Sequence, residues 1–365
     1  MKTTAAVFTG PGSPLELVEI DVADPGPGEV VVRMAAVGIC GTDLHSIRGE
    51  WLRPTPMVLG HEGAGVVEHV GADVRGLAVG DEVVLSWAPS CQACADCARG
   101  RPAACVPLHR AIGAGTLVDG STGLSFEGET VYRGTATGAL AERIVVDARV
   151  ALPTGGRVPL QQAALLGCAA LTGFGAVAYA AKVPAGATVL IIGAGGVGLF
   201  GVQAARIAGA SEIVSVDPLR ERLALATRLG ATHGAQPDEL DELLARIAPE
   251  GVDYAFDAVG DPETTALALS HSRSSGTTVI VGLPAAGRRL DLDPAEFIRR
   301  EKLLTGTMYG SEDPAVALPV LLGHVHSGAL QLEPLLGSTF PLAAINDAFA
   351  ASLAGTAGRV VVTMT

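Results

Sequence analysis

The chain is poor in aromatic residues, which make up only 4% of its 365 positions and include two tryptophans. It is also short of positive charge, with 25 Lys and Arg against 38 Asp and Glu for a net charge of −13. Nucleic acid and anionic membrane both need basic patches, so this balance excludes them and leaves a small diffusible molecule as the expected partner. The opening MKTTAAVFTGPGSP has one Lys and no long apolar core, so it does not read as a secretory leader, and a cytoplasmic protein is expected. No charge interrupts Pro159 to Ala181 or Val183 to Ala205. Glycines, Gln161 and Gln162 in the first and GAGGVG in the second would weaken a spanning helix, so both read as buried elements of a soluble core.

Length sets a prior of about two domains. Residues 1 to 150 carry apolar runs (EVVVRMAAVGI, GAGVVEHV, DEVVLSW, ERIVVD) between Gly, Pro and Asp turns, which predicts an antiparallel, barrel-like β domain. From about residue 156 helical and strand patterns alternate through TVLIIGAG, EIVSVDP, VDYAFDAVG and TTVIVGLP, which predicts parallel strands with crossover helices. The terminal RVVVTM reads as a strand returning to the first domain. Residues 113 to 138, rich in Gly and Thr, read as an elaborated surface loop.

Of only six cysteines, four fall in CQACADCARGRPAAC: Cys91, Cys94, Cys97 and Cys105. In a reducing compartment such clustering favours metal over disulfides, and C-x2-C-x2-C-x7-C suits one tetrahedral structural zinc in a lobe at about 88–108. The remaining two, Cys40 in ICGTDLH and Cys168 in LLGCAALTG, stand beside residues suited to an open zinc, with His61 of GHE as candidate third ligand.

Val189 to Ile192 form a buried-strand pattern followed by Gly193, Gly195 and Gly198 as G-x-G-x-x-G, and Asp217 closes the next strand nineteen residues on. Strand, glycines and helix in that order make a dinucleotide site, whose helix N-terminus receives the pyrophosphate. Asp217 would accept from ribose hydroxyls and repel a 2′-phosphate, which favours NAD over NADP.

The ordered set CGTDLH, GHE, the four-Cys lobe, GCAALTG, GAGGVG, the acidic residue and GTAGRVVV resembles the zinc-dependent alcohol dehydrogenases of the medium-chain dehydrogenase/reductase superfamily over essentially the whole chain. The resemblance implies an α/β fold with a GroES-like, β-rich catalytic domain built from both chain ends (1–155 and 299–365) and a Rossmann NAD-binding domain (156–298). It implies two zinc ions per chain, a catalytic one on Cys40, His61 and Cys168 and a structural one on the four-Cys lobe. Thr42 resembles the hydroxyl that touches the substrate oxygen, and His45 the relay that carries the proton away. Asp43 and Glu62 resemble carboxylates that orient a zinc-bound histidine. Gly193, Gly195, Gly196, Val197, Gly198, Asp217, Arg222, Thr172, Leu283 and Arg359 take cofactor-binding positions. Zinc with two thiolates and an imidazole stays Lewis-acidic, so an alcohol bound there loses its proton readily and releases a hydride to the nicotinamide.

Trp51 and Trp87 resemble walls of the substrate pocket, from which a primary aromatic, allylic or medium aliphatic alcohol is expected. Gly41 departs from the cationic residue common in animal relatives, leaving Arg359 and the glycine loop as the phosphate anchors. The alternatives are a thiol-conjugate-dependent formaldehyde dehydrogenase, in which Arg110 would bind a conjugate's carboxylate, and a nicotinoprotein that retains NAD. A zinc-ribbon binding protein would leave Cys40, His61 and Cys168 unexplained. Relatives imply a homodimer or homotetramer, with Leu303 to Tyr309 as the contact edge. The other histidines, including His324 and His326, sit in no ligand-like spacing.

Overall fold

The computed structural model describes residues 1–88 and 90–364 and divides into two compact units. The first comprises Met1–Cys168, Asp313–Leu322 and Leu336–Thr365; the second comprises Ala169–Glu312 and Gly323–Leu335.

The first unit is organised by the strand Glu29–Gly38. Its valines Val30, Val32 and Val37 are wholly buried, as expected of a β-branched run in the middle of a sheet. Glu62–Val70 pairs along one edge. Along the other, Arg143–Asp147 pairs with Glu29–Arg33 and Arg359–Thr363 pairs with Ala36–Gly38, all antiparallel. Ten residues are long enough to seat both, which is how the C-terminal RVVVT comes to lie beside the N-terminal sheet. A second sheet of this unit runs from Glu129–Thr130 through Leu124–Phe126, Glu16–Val22, Lys2–Phe8 and Met57–Val58 to Tyr132–Arg133.

The stretch 113–138 is therefore not a surface loop. After the helix Val106–Ala114 it forms a hairpin and an edge strand, and Leu124, Val131 and Arg133 are buried. Its glycines and threonines masked the signal, because strands of two or three residues are too short to show alternation.

The second unit carries six parallel strands in the spatial order His233–Ala235, Glu212–Val216, Thr188–Ile192, Val252–Asp257, Ser272–Ile280 and Leu303–Gly306. In order of appearance this is 3-2-1-4-5-6, the doubly wound dinucleotide-binding arrangement, whose order reverses at Thr188–Ile192. Val189, Leu190 and Ile191 are at most 1% exposed, as a strand covered on both faces requires.

The boundaries expected at 155/156 and 298/299 move. Leu303–Gly306 is the sixth strand of the parallel sheet, so 299–312 stay with the cofactor unit. Leu160–Gly167 pack instead on the strands Glu29–Gly38, Glu62–Val70 and Glu82–Leu85 of the first unit. Helical texture marked the change of pattern, but tertiary contact decides membership. Among the described residues no single helix is long and apolar enough to cross a membrane; Leu160–Gly167 and Ala169–Ala180 reach that length only as a bent pair.

Candidate active site and metal centres

Cys40, His61, Glu62 and Cys168 bring ligand atoms within 4.8 Å of one another in the first unit. Cys40 lies two residues past the central strand and caps the helix Gly41–Ile47; His61 directly precedes the neighbouring strand Glu62–Val70, which Glu62 opens; Cys168 follows the short helix Ala164–Gly167. All four are buried, His61 and Glu62 at no more than 1% exposure. Cys40 is held well below its ordinary thiol range by a hydrogen bond with Cys168, and by the charges of Arg359 and His61 against the effect of burial. Cys168 is pushed well above it by the same bond and by burial.

Asp43 lies behind this cluster. Its carboxylate accepts from the Cys40 N–H at 3.0 Å and the Gly60 N–H at 3.2 Å, and stands 3.5 Å from His61 Nδ1. Burial pushes His61 down, but the charges of Asp43 and Cys40 more than reverse this. Asp43 is thus where an orienting carboxylate is expected. Glu62 joins the cluster itself, and its oxygens accept from Arg359 Nε at 2.8 Å and from Arg359 Nη2. Burial raises Glu62 to about 7 against the pull of Arg359. Arg359 is accordingly committed to a carboxylate in this unit before any phosphate is considered.

The donor set fits zinc. Two thiolates and an imidazole are the soft and borderline ligands that ion prefers, the thiolates neutralise its charge, and Glu62 and Arg359 cancel each other.

The four-Cys lobe is equally well formed. Cys91, Cys94, Cys97 and Cys105 are free thiols whose sulfurs also lie within 4.8 Å of one another. The Cys91–Cys97 and Cys94–Cys97 sulfur distances are 3.9 and 3.5 Å, close to the edge of about 3.8 Å of a tetrahedron with 2.3 Å metal–sulfur bonds. The Cys94 N–H donates to Cys91 Sγ and the Cys91 N–H to Cys105 Sγ, both at 3.3 Å. Backbone N–H groups of the turn bring Cys94 down to about 6, and burial pushes Cys105 up to about 12.

Thr42 and His45 lie in the helix Gly41–Ile47, both half-buried. Trp51 stacks on the His45 imidazole with centroids 4.5 Å apart and planes 17° apart, and Arg53 lies 5.2 Å from the Trp51 ring. Trp87 is buried just beyond the strand Glu82–Leu85. Sequence reading missed Glu50, which accepts a hydrogen bond from His45 Nδ1. The spacing H-x4-E was its only signal.

In the second unit Gly193 adopts φ 95° at the end of Thr188–Ile192, a turn few other residues make. The helix Gly196–Ala208 starts directly after it, and a Cβ on Gly198 would collide with the Gly193 carbonyl oxygen. Gly196 and Val197 form its first turn. Asp217 accepts from the Ala194 N–H at 2.9 Å and the Leu219 N–H at 3.0 Å, and pairs with Arg222 at 3.4 Å. The carboxylate expected to read the ribose therefore also braces the glycine loop. Thr172 lies in the helix Ala169–Gly175, and Leu283, 43% exposed, follows the strand Ser272–Ile280. His324 packs on Phe174 with centroids 5.4 Å apart, a packing role rather than a metal one.

A buried thiolate–imidazole cluster in a β-rich unit, carried on one chain with a doubly wound dinucleotide sheet, defines a metal-dependent oxidoreductase. Residues 26–159 match the alcohol dehydrogenase GroES-like domain and residues 196–322 the zinc-binding dehydrogenase domain. The chain belongs to the zinc-dependent alcohol dehydrogenase family of the medium-chain dehydrogenase/reductase superfamily, and it is an oxidoreductase of that family. It is 35% identical over 355 residues, 96% of each chain, to an S-(hydroxymethyl)glutathione dehydrogenase of Photobacterium damsela subsp. piscicida. The benzyl alcohol dehydrogenase of Acinetobacter calcoaceticus superposes with a TM-score of 0.94 at 30% identity over all of both chains. An alcohol dehydrogenase zinc-binding domain protein from Burkholderia ambifaria does so with a TM-score of 0.94 at 35% identity, covering 100% of this chain and 99% of that one.

Proposed function

We propose that this enzyme oxidises a primary aromatic or allylic alcohol to its aldehyde, with NAD as hydride acceptor. The observation that carries the substrate class is the indole of Trp51 stacked on His45, which sets an aromatic wall against the residue assigned to proton transfer. A flat apolar side chain there favours a flat apolar substrate. The likeness to a benzyl alcohol dehydrogenase supports the same reading.

Cys40, His61 and Cys168 would hold the catalytic zinc, with Asp43 fixing His61, and the four cysteines of the lobe a second, structural ion. Zinc supplies Lewis acidity that lowers the cost of removing the hydroxyl proton. Arg359 keeps Glu62 paired, so that carboxylate does not compete for the position the substrate needs. Thr42 orients the substrate hydroxyl, and His45 receives its proton. The glycine loop from Gly193 to Gly198 seats the pyrophosphate, and Asp217 selects a ribose without phosphate. The edge strand Leu303–Gly306, with Leu303 60% exposed, is the surface for pairing with a second copy. All six cysteines are free, which agrees with a cytoplasmic setting.

A second reading, oxidation of a hydroxymethyl thiol conjugate, is favoured by the name carried by the curated relatives. Assay of benzyl alcohol, cinnamyl alcohol, hexanol and S-hydroxymethylglutathione with NAD and NADP separates the two. Higher kcat/KM for the conjugate than for any free alcohol would overturn the aromatic reading. Undiminished turnover in His61→Ala would overturn the zinc mechanism.

A further inference from the structure

The loop after Gly41–Ile47 folds back onto His45. The Glu50 and Trp51 N–H groups both point to the His45 carbonyl, at 2.9 and 3.4 Å, across a turn in which Gly49 has φ 70°. This return puts the Glu50 carboxylate on His45 Nδ1 and the Trp51 indole on the imidazole face. The His45 side chain is 19% exposed and that of Glu50 31%, so the pair leads from a covered ring to a carboxylate that meets water. The second Glu50 oxygen lies 4.0 Å from Arg48, and Arg53 is the other cation near the group, over Trp51.

We propose that Glu50 is a positioning residue of the proton exit, an inference that rests on the relay role assigned to His45 above. A carboxylate on Nδ1 fixes the proton there in the resting imidazole and leaves Nε2 as the acceptor. It also stabilises the imidazolium while the proton is in transit and, unlike the aspartate of a serine-protease triad, which stays ionised, it then takes the Nδ1 proton on. When the alcohol is oxidised, two electrons leave as the hydride to the nicotinamide and the hydroxyl proton arrives at His45 Nε2. The Nδ1 proton then passes to Glu50 Oε2 and from there to a water or buffer base, and exchange through solvent returns the remaining ring proton from Nε2 to Nδ1 for the next turnover. Carbonyl reduction runs the same path backwards. Trp51 stacks on the imidazole face and limits its rotation, which gives the aromatic wall a second task.

The test uses the intact enzyme and Glu50→Gln, which keeps the shape of the side chain and removes its basicity, with Glu50→Asp as the conservative control. At neutral pH, Glu50→Gln is expected to lower kcat about tenfold, below the usual range for a general base because water can substitute. KM for the alcohol should stay within about twofold, small buffer bases should restore part of the loss, and Glu50→Asp should recover most of it. A second readout needs neither zinc nor cofactor. In a Trp87→Phe background the remaining indole reports on its stack with the His45 ring, and its emission should change in Glu50→Gln, where the imidazole loses its carboxylate partner. Wild-type kcat, pH profile and emission in Glu50→Gln would overturn the proposal. So would a changed emission with an unchanged pH profile of kcat, since the proton would then leave elsewhere. Failure of the wild-type protein to oxidise any alcohol in the panel would overturn the proposed function itself, and that result needs no variant.

Discussion

Arg359, the first residue of the C-terminal strand, donates from Nε at 2.8 Å to Glu62, which stands 297 positions earlier beside the proposed zinc ligand His61. The Glu62 side chain is fully buried and that of Arg359 12% exposed, so neither charge has water to fall back on. Arg359→Met leaves an unpaired buried carboxylate and should destabilise by about 3–5 kcal/mol, whereas Arg359→Met with Glu62→Gln should recover much of that. Chemical denaturation of the two variants with zinc analysis measures both effects. Equal stability of the single and double variants would refute the coupling.

Gly198 faces the carbonyl of Gly193 at a distance that admits no Cβ. Gly198→Ala should push the helix Gly196–Ala208 off the glycine loop, cost about 1–3 kcal/mol of stability by overpacking and weaken NAD binding at least tenfold. Titration of NADH fluorescence reads the binding, and the metal content should not change.

Asp217 accepts from the Ala194 and Leu219 N–H groups and is the residue proposed to exclude a 2′-phosphate. Asp217→Ser should therefore narrow the ratio of kcat/KM for NAD over NADP by about tenfold or more, and should lower the melting temperature by weakening the brace on the loop. A variant that keeps the full NAD preference would show that selectivity lies elsewhere.

Removing one thiol from the lobe tests its structural role. Cys105→Ser should leave one zinc per chain, against the two expected for the wild type, and lower thermal stability, because a structural site contributes its binding energy to folding. Metal analysis by mass spectrometry with a melting curve reads both. Two equivalents of zinc retained in this variant would refute the four-Cys site.

The pH dependence of stability should include Asp253. Burial pushes its carboxyl up, but the Thr188 N–H at 2.8 Å and the Arg273 Nε at 2.6 Å outweigh burial and hold it below its ordinary value. A carboxyl lowered in the folded state contributes stability that is fully present above its unfolded value, about 3.9, and lost as pH falls through the folded value. Asp253→Asn should thus destabilise at neutral pH and flatten the acid limb of a plot of urea midpoint against pH. A limb parallel to wild type would remove Asp253 from that account.

Much of the site was legible before any fold was known, and for local reasons. The four clustered cysteines and the G-x-G-x-x-G loop lie within short segments, so their spacing fixes which atoms meet. Cys40, His61 and Cys168 could be named only as candidates until the family resemblance joined them, since the last two stand 107 positions apart. Glu50 was not seen because H-x4-E on a helix and turn carries no signal until the turn at Gly49 is closed. Glu62 pairs with Arg359, a partner that nothing in GHE announces.

By itself the sequence determined the class of chemistry, since acidity, reduced clustered thiols and a glycine loop between strand and helix are properties of composition and short-range spacing. Only the tertiary structure decided what depends on long-range pairing. The strand Glu29–Gly38 is long enough to seat Arg359–Thr363, which brings Arg359 to Glu62, and hydrogen bonding of Leu303–Gly306 to its neighbour, rather than any change of texture, sets where the cofactor unit ends. Backbone groups in a sheet take whichever partner topology brings to their edge, and no local pattern encodes that choice.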